Sequence, residues 1–97
     1  MYMAYVYIML SEKLKKYYIG SCLDIHQRIS EHQNKIFNNS FTSKANDWIL
    51  IYSLSDLDFL QARKIESHIK RMKSKKYIEN LIKFSEISER LKELYKS

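Results

Sequence analysis

Residues 3–10 of this 97-residue chain alternate with a period of two. Ala4, Val6, Ile8 and Leu10 form an aliphatic face, and Met3, Tyr5, Tyr7 and Met9 the opposite one, which predicts a strand. A polar connector, SEKLK (11–15), leads into KYYIGS, a second short strand on which Tyr18 shares a face with Lys16 and Gly20 while Tyr17 and Ile19 point the other way. With so short a link, an antiparallel hairpin is the economical pairing. Asp24 is placed to cap a helix, whose apolar stripe is Ile25, Ile29, His32 and Ile36 at i, i+4, i+7 and i+11. Residues 33–47 read as a loop, and WILIYSL (48–54) is a β-rich apolar run that reads as a central strand.

Ser55 and Asp58 have the spacing of a capping box and predict that the next helix starts there, with Ala62, Ile65, Ile69 and Met72 as its buried stripe. Glu66 falls on the flank of that stripe, together with Lys70 and Lys73. Lys75–Lys83 reads as a short helix carrying Ile78, Leu81 and Ile82, and the tail from Ser85 as a last amphipathic helix through Ile87, Leu91 and Leu94. The order β-β-α-(loop)-β-α-α-α predicts a small α+β fold: a three-stranded, largely antiparallel sheet flanked by helices, with an extra C-terminal helix. Residues 1–84 are expected as one domain, with 85–97 packed on it or extending from it.

Composition changes this picture little. No apolar run approaches the roughly 18 residues of a membrane span, and MYMAYVYIML lacks the basic start and small-residue cleavage site of a signal peptide. A single cysteine, Cys22, cannot form an internal disulfide, which fits a reducing cytoplasm. Charge is more informative. Residues 61–83 hold eight Lys/Arg against two Glu, which accounts for the whole net charge of +6. A concentrated basic segment is expected of a surface that faces phosphates, and a solvated lysine-rich helix is its plain alternative.

Five residues of the right chemical types stand out, each with a structural alternative. Tyr7 and Tyr18 can meet across the hairpin or simply pack in a half-buried sheet. Arg28 can offer a forked pair of donors to a phosphate, or be a surface arginine. His32 can be catalytic or a core histidine, and Glu66 a metal ligand or a salt-bridge partner of Lys70. Together they contain what phosphodiester hydrolysis requires: a base for water, a cation for the developing charge and a carboxylate for a metal. A lone carboxylate suits Mg²⁺ (or Mn²⁺), which keeps several waters. No Cys/His cluster suggests structural zinc.

The spacing of V-Y-I (6–8), Y-I-G (18–20) and R-x-x-x-H (28–32), followed by F-T-S-K (41–44), W-x-L-x-Y (48–52) and A-x-x-x-E (62–66), resembles the GIY-YIG nucleases. The likeness covers roughly residues 3–83 and is closest to small stand-alone members related to the nuclease domain of the UvrC repair protein. By that resemblance Tyr7 is the general base or water-orienting group, and Tyr18 assists it or binds the scissile phosphate. Arg28 stabilises the transition-state charge, His32 supports Tyr7 or the phosphate, and Glu66 holds the divalent metal. Gly20, Thr42 and Asn80 are then structural residues of the site. Lys44, Arg63, Lys70, Arg71, Lys73, Lys75 and Lys76 are expected to contact nucleic acid. Tyr5 stands where the family name has glycine, and Cys22 where threonine is common. Gly20 is expected to end its strand and leave room for a phosphate beside the Tyr18 hydroxyl.

The expected activity is metal-dependent endonucleolytic cleavage of DNA, with RNA as an alternative substrate. No reader motif accompanies the match, so little sequence specificity is expected, with structure-selective cutting and a link to repair or recombination in view. The rival reading is a non-catalytic nucleic-acid-binding module that kept the fold. The C-terminal helix is also a candidate homodimer contact.

Overall fold

The computed structural model describes residues 4–27, 29 and 47–96; the expectations for Arg28, His32, Ile36, Thr42 and Lys44 lie outside the described residues. Strands β1 (Ala4–Ser11) and β2 (Lys16–Cys22) form the predicted antiparallel hairpin, with Lys15 in the left-handed region at φ 54° in its turn. Residues 25–27 and 29 are helical (α1), and the Asp24 carboxylate caps them by accepting from the Gln27 backbone N–H at 3.0 Å. Strand β3 (Ile49–Leu57) is followed by helices α2 (Phe59–Met72), α3 (Lys75–Lys83) and α4 (Ser85–Leu94). The fold is α+β, as predicted.

Strand order is β2-β1-β3, with both pairings antiparallel. The central strand is therefore β1, and the apolar run 48–54 lies mostly in an edge strand. Besides pairing on both edges, β1 is apolar on both faces. Ala4, Val6 and Ile8 enter one core, and Tyr7 and Met9 enter a second on the other side of the sheet. The start of β3, by contrast, leaves Ile49 and Leu50 exposed.

The larger core joins that first face to Leu54 and Leu57 of β3, Ala62, Ile65 and Ile69 of α2, Ile78 and Leu81 of α3, and Leu91 of α4. Each of the buried Val, Ile and Leu side chains contributes roughly 1.5–3 kcal/mol. Met72 and Ile82, predicted within apolar stripes, are instead exposed. Strand β3 also runs three residues beyond the prediction, because Leu57 is fully buried opposite Ala4. Asp56, at φ 62°, lies in the irregular register between Ala4 and Val6, where Asp tolerates the left-handed conformation a bulge needs.

The cap of α2 consequently forms from a different pair than Ser55 and Asp58. Asp58 Oδ1 accepts from the Gln61 backbone N–H at 2.7 Å, and Gln61 Oε1 accepts from the Asp58 backbone N–H at 3.2 Å. Gln61 Nε2 also donates to the Lys92 carbonyl at 2.9 Å, tying α2 to α4. A second tie joins Tyr52 Oη and Ser88 Oγ at 2.5 Å. Leu91 is buried and Ile87 packs against the same core, so the stripe considered for a homodimer is engaged by the chain's own fold; Leu94 alone of the three stays exposed.

Asp47 clamps the hairpin turn. Its Oδ1 accepts from Ser11 Oγ at 2.6 Å and its Oδ2 from the Lys13 backbone N–H at 2.9 Å. The buried Ser11 hydroxyl also accepts from the Leu14 backbone N–H at 3.1 Å. The hydrogen bond from Ser11, then that from Lys13, holds the Asp47 carboxyl below its ordinary value of 3.8. A depressed folded-state pKa gives stability that is present above the unfolded value and lost as pH falls through the folded one. Asp47→Asn should therefore be less stable than wild type at about pH 6 in urea unfolding, and the gap should close as pH falls below 3.8. A gap that does not change with pH would show that the carboxylate charge is not its source.

Candidate active site

Tyr7 and Gly20 are direct partners across the β1–β2 ladder. The Tyr7 ring lies over Gly20 so closely that a Cβ there would stand 2.5 Å from the Tyr7 hydroxyl oxygen and 2.7 Å from the ring carbon bearing it. The missing side chain thus makes room for Tyr7, not for a ligand beside Tyr18. Nor does Gly20 end its strand, since β2 continues to Cys22. Tyr18 stacks at a tilt beside Tyr7, with ring centroids 6.2 Å apart and planes at 32°. Behind them the fully buried Trp48 meets Tyr18 edge-on at 6.4 Å. Of the W-x-L-x-Y stretch, Trp48 packs with the tyrosines, while Tyr52 packs against the other core.

Glu66 approaches from the other layer. Its neighbour Ile65 is anchored in the larger core, which sets Glu66 at the flank of α2, as the helical spacing predicts. Ser21 Oγ donates to Glu66 Oε1 at 2.5 Å. Lys70 Nζ, one turn along, donates to Oε2 at 2.7 Å, with side chains 52% and 17% exposed for Lys70 and Glu66. Ser21 is absent from the predicted site, although the signal is present in the pleat. Tyr17 and Ile19 pack toward the α2 side, and Ser21 is the next residue on their face. A polar group ending an apolar face beside the helix flank that carries Glu66 marks the contact.

These side chains border one cavity of about 510 Å³, lined among others by Tyr7, Tyr18, Gly20, Ser21, Asp24, Arg63 and Glu66. Arg63 stands over the Phe59 ring at 5.6 Å and brings a guanidinium to the same space. Of the predicted catalytic residues described by the structure, Tyr7, Tyr18 and Glu66 come together. Asn80 does not line the cavity; its carbonyl accepts from the Phe84 backbone N–H at 2.8 Å, between α3 and α4. Of the basic residues, Lys70 pairs with Glu66, while Arg71 donates to Tyr95 Oη at 3.4 Å. Lys73 and Lys75 line a separate groove, and Lys76 is exposed on α3.

Among the described residues no three His, Cys, Asp or Glu form a metal cage. A cation here would be held by few protein oxygens, and Glu66 is suited to that. Each of its oxygens accepts one hydrogen bond, which leaves lone pairs for a hydrated ion. Phenol, carboxylate and guanidinium around one cavity can accept a proton, hold a cation and bind an anion.

Gly20→Ala should cost about 1–3 kcal/mol in denaturant unfolding, because the added carbon overlaps the buried Tyr7 ring. In a Tyr7→Ala background the same change should cost much less, and additive losses would contradict the contact.

The family model for the GIY-YIG catalytic domain matches residues 3–79. The chain matches no curated protein and no solved structure. The matched segment contains Tyr7, Tyr18, Gly20, Ser21 and Glu66, the residues that the fold gathers at the cavity. The chain belongs to the GIY-YIG family and is an enzyme of that metal-dependent nuclease class.

Proposed function

We propose that the chain is an endonuclease that hydrolyses DNA phosphodiester bonds with little intrinsic sequence specificity, selecting branched or single-stranded structures in repair or recombination. The reading places it beside the stand-alone relatives of the UvrC nuclease domain, in the reducing cytoplasm that the lone buried Cys22 suits. The observation that carries it is the meeting of Tyr7, Tyr18 and Glu66 on one cavity within a continuous family match.

Tyr7 orients the attacking water and accepts its proton, and Tyr18 hydrogen-bonds the scissile phosphate. A phenol ordinarily ionises near pH 10, so this work at neutral pH needs cationic neighbours. Arg63 at the cavity supplies one; by the family motif Arg28 is a second, and His32 supports Tyr7 or the phosphate. Glu66 is the ligand for Mg²⁺ or Mn²⁺, which when bound polarises a phosphoryl oxygen and offsets developing charge. Lys70 covers one Glu66 oxygen, and its exposure lets it swing aside. Ser21 fixes the carboxylate from behind. Arg63, Lys70, Arg71, Lys73, Lys75 and Lys76 bind the DNA backbone through sequence-independent contacts.

Wild type should nick plasmid and branched DNA with Mg²⁺ or Mn²⁺. Glu66→Gln and Arg28→Ala should each lower that rate by about 10²–10³ while leaving the fold intact by circular dichroism. Equal cleavage by all three would sink the mechanism, and binding without cleavage by wild type would favour a non-catalytic module. Ser21→Ala should raise the half-saturating Mn²⁺ concentration by about tenfold, as loss of a residue that orients a ligand does. An unchanged metal titration would remove Ser21 from that role.

A further inference from the structure

The seam between edge strand β2 and helix α2 opens at both ends. At one end Ser21 and Glu66 border the cavity already described. At the other, Lys15, Lys16, Lys73 and Lys75 line a groove of about 430 Å³, with Tyr17 and Ser74 between them and Ile78 among its walls. The two pairs of lysines come from segments nearly sixty residues apart, one from the hairpin turn and one from the α2–α3 junction. No carboxylate is among the described residues that line this groove. We infer that this lysine groove is a second backbone site for duplex DNA, gripping phosphates several nucleotides away from the one at the Tyr7–Glu66 cavity.

Two further features favour an anion there. Ser74 caps α3 by accepting from the Tyr77 backbone N–H at 3.1 Å, so the positive end of that helix opens beside the lysines. The first turn of α3 contains no acidic residue and begins with Lys75 and Lys76. Cations at a helix N-terminus oppose the dipole, and a bound phosphate relieves that conflict. Lys15 in the hairpin turn and Lys73 at the C-cap of α2 are left-handed, at φ 54° and 48°. Spacing agrees with a single DNA segment. Glu66 and Lys73 are seven residues apart on or at the end of α2, about 10 Å at 1.5 Å per residue. Ser21 and Lys16 are five apart on β2, about 16 Å. At roughly 3.4 Å of rise per nucleotide, the two sites are about three to five nucleotides apart.

The inference rests on DNA being the substrate, and the test separates the two. Binding of a fluorescent duplex of about 20 base pairs is measured in EDTA across a salt series, so the result does not depend on cleavage. The full chain is compared with a variant carrying Lys15→Asn, Lys16→Gln, Lys73→Asn and Lys75→Gln, asparagine being chosen where the backbone is left-handed. The variant should bind at least tenfold more weakly at low salt. Its plot of log affinity against log salt should be shallower by about 2–4 units, near 0.9 for each phosphate that the lysines no longer neutralise. Arginine at the same four positions should retain the wild-type slope. An unchanged slope in the neutral variant overturns the groove while leaving a nicking wild type as a nuclease. If the neutral variant does not fold, amide shifts of isotope-labelled wild type titrated with the same duplex decide. Shifts at residues 15–17 and 73–78 support the groove, and shifts confined to the cavity overturn it. Wild type that binds no duplex, or that is retained on anionic vesicles without binding DNA, overturns the groove; nicking of branched DNA by the same protein keeps the nuclease reading.

Discussion

Alternate residues of β1 drive into two separate cores, and the rest of the molecule is arranged around that division. Val6 and Ile8 are fully buried beneath the helices, while Tyr7 and Met9 are as deeply buried on the opposite face with Trp48. Hydrogen-bonded to β2 along one edge and to β3 along the other, β1 is also the central strand. That places β2 at an edge, where its end stands open beside α2. The Tyr7 ring reaches across this edge strand only because its ladder partner is the chain's one glycine. Packing in the sheet and access to the cavity therefore depend on the same contact.

The polar part of the site is built across the β2–α2 seam. Ser21 and Glu66 join the two elements by a short hydrogen bond, and Lys70 closes the carboxylate from the solvent side. The aromatic and acidic halves of the site thus arrive from opposite layers and meet at the end of β2. The seam thereby brings together a phenol, a carboxylate and a guanidinium, parts that hydrolysis of a phosphodiester requires. Basic side chains are distributed along the same seam and along the outer face of α2.

Much of the fold was legible in the pattern of the chain. The β1 alternation, the hairpin, the bounds of α3 and the apolar face of α2 through Ala62, Ile65 and Ile69 all follow local rules of period and capping. The errors arose where a local signal had a tertiary competitor. WILIYSL is apolar enough for a central strand, but centrality is set by how many edges are paired, and β3 pairs only with β1 among the described strands. Ser55-x-x-Asp58 satisfies the spacing of a cap, but burial of Leu57 against Ala4 keeps the chain extended to the next competent residue. Leu91 in an amphipathic tail fits a partner chain or its own core alike, and here it joins the core, with α4 tied down by Gln61 and Tyr52.

The sequence by itself determined which elements form and which chemical groups are present, because helical and strand periods and motif spacing are local properties. It also placed the Tyr7, Tyr18 and Glu66 types in the order that the family requires. Only the tertiary structure decided what those groups touch. That Gly20 is covered by Tyr7, that Ser21 holds Glu66, and that Lys15 and Lys16 share a groove with Lys73 and Lys75 are contacts between residues far apart in the chain. Such contacts are set by how the layers pack; a local period puts Ser21 on the α2 face and Glu66 on the helix flank, but the packing joins them.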